Sequence, residues 1–142
     1  MPPALDRAQQ CVDRIFALNQ ESPYGVWLRG LVAFSGGELR KARPDLERAH
    51  RLLPDDPDVM VMLWYLLSLR GLHDRAEEMS ARLLELDPLT PMNHGMPGFR
   101  HVMEGHPEES VPFYRRFHEM DPENPLGLPG QRVDLAAREA DG

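Results

Sequence analysis

Between Asp56 and Pro91 the chain carries two different apolar patterns in succession. Val59 to Leu69 is an almost unbroken apolar run, which reads as a helix too apolar to be exposed on more than one side. The stretch that follows spaces Ala76, Met79, Leu83 and Leu86 along one stripe of a second helix, with polar residues between them. Punctuation supports both elements. Asp56 is a good N-cap, and Pro57 fits the first helical position, where a missing N–H costs nothing. Gly71 supplies the positive φ that ends the first helix. Asp74 with Glu77 is a capping-box-like start for the second, and Pro88 cannot continue it. Thr90-Pro91 then repeats the opening signal. The stretch predicts a helical hairpin.

The same punctuation returns at a fixed interval. Pro23, Pro57, Pro91 and Pro125 are each 34 residues apart, preceded by Ser22, Asp56, Thr90 and Asn124, all strong N-caps. Gly37, Gly71 and Gly105 share the period at the end of each first helix, and Pro54, Pro88 and Pro122 close each second helix. Three columns with one period do not arise from composition, even with 14 prolines in the chain.

A helix–turn–helix unit of 34 residues resembles the tetratricopeptide repeat (TPR) family. Counting each unit from its opening proline, the family's small eighth residue is matched by Gly30 and Gly98 but replaced by Trp64. Its small twentieth residue appears as Ala42, Ala76 and Ser110, and its twenty-seventh as Ala49, Leu83 and Phe117. The resemblance implies an all-α fold, an α-solenoid (right-handed superhelix) of three hairpins at 23–54, 57–88 and 91–122. A half-repeat helix at 4–19 and a partial repeat with a capping helix at 125–142 flank them in a single TPR-like domain, 1–142. The bulky Trp64, Leu83 and Phe117 imply local respacing of helices.

Within that frame some segments depart from regularity. The first helix places Leu5, Ala8, Val12, Ile15 and Phe16 inward; it is either an N-terminal cap or the cut edge of a longer protein. Pro44 and Pro112 occupy equivalent places early in two second helices, so a shared slight bend is expected. Gly95, Pro97 and Gly98 fall inside the first helix of the third repeat, which is expected to be kinked or to start late. Gln131–Glu139 can form a last helix, with Val133, Ala136 and Ala137 covering the final apolar face.

Composition narrows the function classes. A net charge of −7 argues against a general nucleic-acid surface. No apolar run approaches the roughly 20 residues a membrane span needs, and the start of the chain lacks a signal-peptide pattern. With Cys11 as the single cysteine there is no internal disulfide framework. A cytoplasmic protein is the expectation.

In the resembling family, first helices line a concave groove and ligand contacts come mainly from positions 2, 5, 9, 12 and 13 of each repeat. The resemblance carries these onto Tyr24, Trp27, Leu31 and Phe34, then Val61, Tyr65 and Leu69, then Met92, Phe99 and Met103. The surface is aromatic and aliphatic; Trp27, Leu31 and Leu69 read equally well as helix–helix core. None of these groove positions is Lys, Arg or Asn, so a clamp for a peptide C-terminal carboxylate is not expected. Met92–His106 holds three methionines and three histidines, a donor set that suits copper. His94 and His101 would share a helix face, but Pro97 between them spoils the geometry. His50, His73 and His118 show no ligand spacing and read as surface residues. No nucleophile has an evident base partner, there is no phosphate-binding glycine loop, and no catalytic residue, cofactor or metal ligand is assigned. Arg40, Lys41, Arg43, Arg48 and Arg51 alternate with Glu38, Asp45 and Glu47 as a solvated helix face. The expected function is a non-catalytic protein-interaction scaffold for a peptide or helix. The rivals are an oligomerisation or intramolecular regulatory module of a larger signalling protein, packing on a second copy or a neighbouring domain, and a Met/His metal-handling protein.

Overall fold

A computed structural model describes residues 2–125 as seven α-helices and one 3₁₀ turn, with no strand among the described residues. The helices are α1 (Pro3–Leu18), α2 (Pro23–Ser35), α3 (Leu39–Leu52), α4 (Pro57–Leu69), α5 (His73–Leu86), α6 (Pro91–Met103) and α7 (Val111–Met120), with the 3₁₀ turn at Pro107–Ser110 before α7. The capping helix expected within 125–142 falls outside the described residues. By its contacts the chain divides into two compact units, Met1–Arg70 and Gly71–Gly142.

The three first helices, α2, α4 and α6, each begin on the periodic proline and run 13 residues. Their caps differ in chemistry. The Ser22 hydroxyl accepts from the Gly25 N–H at 3.2 Å, and the Asp56 carboxylate accepts from the N–H groups of Asp58 and Val59 at 3.0 and 3.2 Å. Thr90 does not cap. Its hydroxyl instead donates backwards to the Asp87 carboxylate at 2.6 Å, because an acceptor that strong lies three residues upstream. Gly37, Gly71 and Gly105 follow these helices with φ of 78°, 72° and 85°, values a side chain would strain. After α2 the Glu38 and Gly37 N–H groups reach back to the Ala33 and Phe34 carbonyls, and after α6 those of His106 and Gly105 reach His101 and Val102. This is the glycine-closed helix end that satisfies otherwise orphaned carbonyls.

Second helices start differently from the sequence expectation. α5 begins at His73 with Leu72 at the cap, so Asp74 lies inside the first turn, where it complements the helix dipole instead of capping. Pro44 and Pro112 also part company. Pro44 sits within α3, whereas Pro112 occupies the first turn of α7, where no backbone donor is needed. The segment preceding Pro112 turns as a 3₁₀ helix. The third repeat is thus irregular at the start of its second helix. α6 neither starts late nor ends early, despite Gly95, Pro97 and Gly98.

In the first unit, α2 packs on α1, α3 and α4, and α3 packs on α4. Val26, Ala49 and Val59 make a buried cluster against which Phe16, Trp27 and Leu53 pack. Val12, Leu46, Met60, Leu63, Leu66 and Leu67 are also fully buried. A side chain of that size contributes about 1.5–3 kcal/mol when removed from water. The α2–α3 approach is close at Gly30, where an added Cβ would lie 2.9 Å from Leu46 Cδ2. Arg29 forks onto Asp45 across the same pair of helices, through Nε and Nη2 at 2.7 Å each, and lies over the Phe16 ring of α1 at 5.0 Å. The Asp45 hydrogen bond, ahead of the cost of burial, raises the Arg29 pKa above its ordinary value. Asp45 is thus part of an inter-helix tie and not of a purely solvated face.

In the second unit, α6 packs on α5, on the 3₁₀ turn and on α7. Gly98 repeats the role of Gly30: a Cβ there would lie 3.1 Å from Phe113 Cβ and 3.2 Å from the Ser110 carbonyl oxygen. Burial raises the pKa of the nearby Tyr114 phenol. Gly95 faces Phe117, whose ring is 1% exposed, and a Cβ on Gly95 would meet Phe117 Cδ1 at 3.0 Å. The corresponding residues of the first repeat are Trp27 and Ala49, which are brought together in the cluster around Val26. Large and small have exchanged sides between the two hairpins. The bulky Phe117 is accommodated by a glycine opposite and does not by itself demand wider helix spacing.

Gly95→Ala is a test of that exchange. Alanine gains about 1 kcal/mol of intrinsic helix stability over glycine, but overpacking a filled site costs about 1–3 kcal/mol. Because Phe117 is fully buried and cannot yield, Gly95→Ala should lower stability in urea unfolding. In a Phe117→Leu background the same change should be neutral or stabilising, and the double-mutant cycle should return a coupling of about 1 kcal/mol.

Candidate functional site

The faces of α2, α4 and α6 carry the residues expected to meet a ligand. In the first unit Tyr24 stands at the start of α2 with 55% of its surface exposed. Phe34, at the other end of α2, is half-buried and meets Tyr65 of α4 edge to face, with ring centroids 5.7 Å apart and planes at 81°. Tyr65 also makes an edge contact with its buried neighbour Trp64 at 5.8 Å. Such aromatic pairs add about 0.5–1.5 kcal/mol beyond the area they bury. Tyr65 keeps 39% of its surface exposed and Leu69, one turn further on, 42%. Leu31 and Val61 are half-buried. Trp27 is half-buried too, packed on the Val26–Ala49–Val59 cluster, and its indole N–H is shut away from solvent without an acceptor.

In the second unit α6 exposes Met92 at 36% and Met103 at 44%, with Val102 beside it, while Phe99 is half-buried. The buried residues of α6 are Asn93, Gly95, Met96 and Gly98. The Asn93 side-chain amide donates to the Asp87 carbonyl at 2.8 Å, fixing the helix to the turn before it. His94 does the same through Nε2 and the Pro88 carbonyl at 2.7 Å. Arg100 bridges Glu77 of α5 at 3.1 Å and Glu104 at 3.8 Å.

Within each unit the residues at these positions are of two kinds. Those of the first kind are anchored in the hairpin: Trp27, Leu31, Val61 and Phe99. Tyr24, Tyr65, Leu69, Met92 and Met103 form the second kind, with much of their apolar surface in solvent. That division follows helix phase, since α4 buries Val59, Met60, Leu63, Trp64, Leu66, Leu67 and Ser68 around the rest of its circumference. The exposed residues are large, apolar and unlike a solvated helix face.

Backbones with this arrangement are known. YrrB, described as a TPR protein with an unusual peptide-binding site, superposes with a TM-score of 0.77 at 19% identity, over 91% of this chain and 66% of that one. The chain has the tetratricopeptide-repeat fold. MamA from AMB-1 matches with a TM-score of 0.71 at 23% identity, over 86% of this chain and 72% of that one. MamA from MSR-1 matches at 0.68 and 22% identity, over 84% and 69%. The chain therefore spans about two thirds of the length of these solved proteins. No protein-family model matches its sequence, and no curated protein sequence does. A repeat fold tolerates such divergence because its punctuation, more than its side chains, sets the period.

Sequence reasoning missed three features. One is the Arg29–Asp45 fork, whose partners are 16 residues apart and meet only once α2 and α3 pair. Beside it lies an open cleft of about 520 Å³, bordered by Leu5, Gln9, Val32, Ala33, Gly36 and Lys41, to which no expected ligand residue contributes. His50, His73 and His118, read as surface residues, are half-buried with Nδ1 closed to solvent. No described helix is long and apolar enough to cross a membrane.

The orphaned indole of Trp27 makes a measurable difference between the two tryptophans. Leaving a buried donor unpaired costs about 1–3 kcal/mol, so Trp27→Phe removes a penalty along with some packing. Its stability cost should fall within about 1 kcal/mol of zero, smaller than that of Trp64→Phe at a site only 5% exposed. Thermal unfolding of the two single variants checks the order.

Proposed function

We propose that this chain is a non-catalytic protein-interaction module, whose first-helix faces bind a peptide segment or helix of a partner protein by apolar anchoring. The observation that carries the reading is the exposure of Tyr24, Tyr65 and Leu69 in the first unit and of Met92 and Met103 in the second. Each stands on a helix that buries other residues of its own. Residues held in that way are preorganised, so little conformational entropy is lost when a ligand covers them. Phe34, Trp27, Leu31, Val61 and Phe99 would support the exposed anchors from beneath. YrrB's described peptide site adds support from a protein of the same fold. Binding would depend little on salt, because the anchors are uncharged. Nucleic acid is a poor candidate for a chain of net charge −7.

The test uses peptides selected from a displayed library on the wild-type protein. Truncation at an interface hot spot costs about 2 kcal/mol or more, roughly thirtyfold in affinity. Tyr65→Ala and Tyr24→Ala should each weaken the selected peptides at least tenfold. The melting temperature should change little for the more exposed Tyr24 and fall modestly for Tyr65, which also loses its edge contacts with Phe34 and Trp64. Leu18→Ala, on α1 at 90% exposure, should leave affinity unchanged. Equal binding by all variants would overturn the reading. A wild-type dimer in sedimentation that Tyr65→Ala dissociates would assign the same surface to self-association.

A further inference from the structure

The turn joining α6 to α7 gathers a set of donors that the interaction surface does not use. Gly105, with φ of 85°, swings the chain round so that His106, Glu108 and Glu109 project together from the 3₁₀ turn. One ligand atom from each of these three lies within 4.8 Å of the others, and His106 Nδ1 is 3.9 Å from Glu108 Oε1. Glu109 reaches a second imidazole as well: its Oε2 lies 3.1 Å from Nδ1 of His101, in the last turn of α6. The His101 ring is stacked on Phe113 of α7, with centroids 5.5 Å apart and planes at 24°, and its side chain is only 14% exposed. An imidazole nitrogen and a carboxylate oxygen therefore face one another at ion-pair distance.

We propose that His106, Glu108 and Glu109, with His101 adjoining through Glu109, form a binding site for a divalent cation of the zinc class. The donor chemistry selects the ion. Imidazole nitrogen mixed with carboxylate oxygen suits zinc, whereas calcium and magnesium take oxygen ligands alone. The thioether reading of Met92–His106 loses two of its donors: Met96 is buried, and His94 holds the Pro88 carbonyl. Zinc bonds of about 2.0–2.1 Å place tetrahedral ligand atoms roughly 3.4 Å apart. The three side chains on the turn are exposed, so their rotamers are free to draw donor atoms that already lie within 4.8 Å of one another toward that spacing. Closing them on an ion would tie the turn to the stacked His101 and stiffen the start of α7. Metal binding would thus act on the second unit's stability without touching Met92 or Met103.

Isothermal titration with zinc chloride in a non-coordinating buffer at neutral pH tests the site on the whole chain. One equivalent per chain should bind and raise the melting temperature. Glu109→Gln and His106→Asn should each weaken binding by about tenfold or more, the lower end of what disturbing a metal site's surroundings costs. Their helical circular dichroism should stay at the wild-type level, because both side chains are exposed. Met103→Leu should bind zinc as the wild type does. No saturable binding, or binding unaffected in the Glu109→Gln/His106→Asn double variant, would overturn the proposal. So would a site lost in Met103→Leu and kept in Glu109→Gln.

Discussion

Everything in this molecule depends on how closely the two helices of a hairpin can approach. At Gly30 and Gly98 an added Cβ would press on Leu46 in one hairpin and on Phe113 and the Ser110 carbonyl in the other, so a neighbour would have to give way. Close approach multiplies dispersion contacts, and a filled interface tolerates neither an added methyl nor a missing one. Helix propensity opposes this arrangement. Glycine is a poor helix former, and α6 contains two glycines and a proline within its 13 residues. Tertiary packing outweighs the local preference: α6 keeps the length of α2 and α4 because Phe117 and Phe113 fill the spaces its glycines leave. The exchange of Trp27 and Ala49 for Gly95 and Phe117 shows the same constraint met from opposite sides.

Packing on one side leaves a residue surface on the other, and function is argued from that remainder. A helix such as α4, with seven buried residues, has little freedom left. Tyr65 is therefore presented on a rigid support, steadied by Phe34 and Trp64. Rigid aromatic presentation is what an interaction surface needs, since flexible side chains lose entropy on binding. The turn at Gly105 serves a separate purpose. Its positive φ is required to end α6, yet the same geometry sets His106 and the two glutamates side by side. One backbone device closes a helix and assembles a donor cluster.

Much of the fold was legible along the chain because its signals are local. Pro57 after Asp56, or Gly71 after an apolar run, states a helix boundary through steric rules acting within a few residues. Repetition at 34 residues then supplied the hairpin and its family resemblance. Where a local rule had a competitor, the reading failed. Thr90 turned to Asp87 instead of capping, and Pro112 opened a helix instead of bending one. The candidate surface was legible only as a set of positions. Helix phase placed Tyr24, Trp27 and Tyr65 on first helices, but could not say which would be wedged beneath and which left in solvent.

By itself, then, the sequence determined the helices, their period and the all-α class, because caps, prolines and positive-φ glycines act on their immediate neighbours. Tertiary structure decided the rest. It alone set Gly95 against Phe117, forked Arg29 onto Asp45, shut the Trp27 indole away and brought Glu109 to His101. Each of these joins residues whose meeting depends on the distance and rotation between packed helices. Those quantities arise from volume complementarity summed over a whole interface, and no single stretch of chain contains that sum.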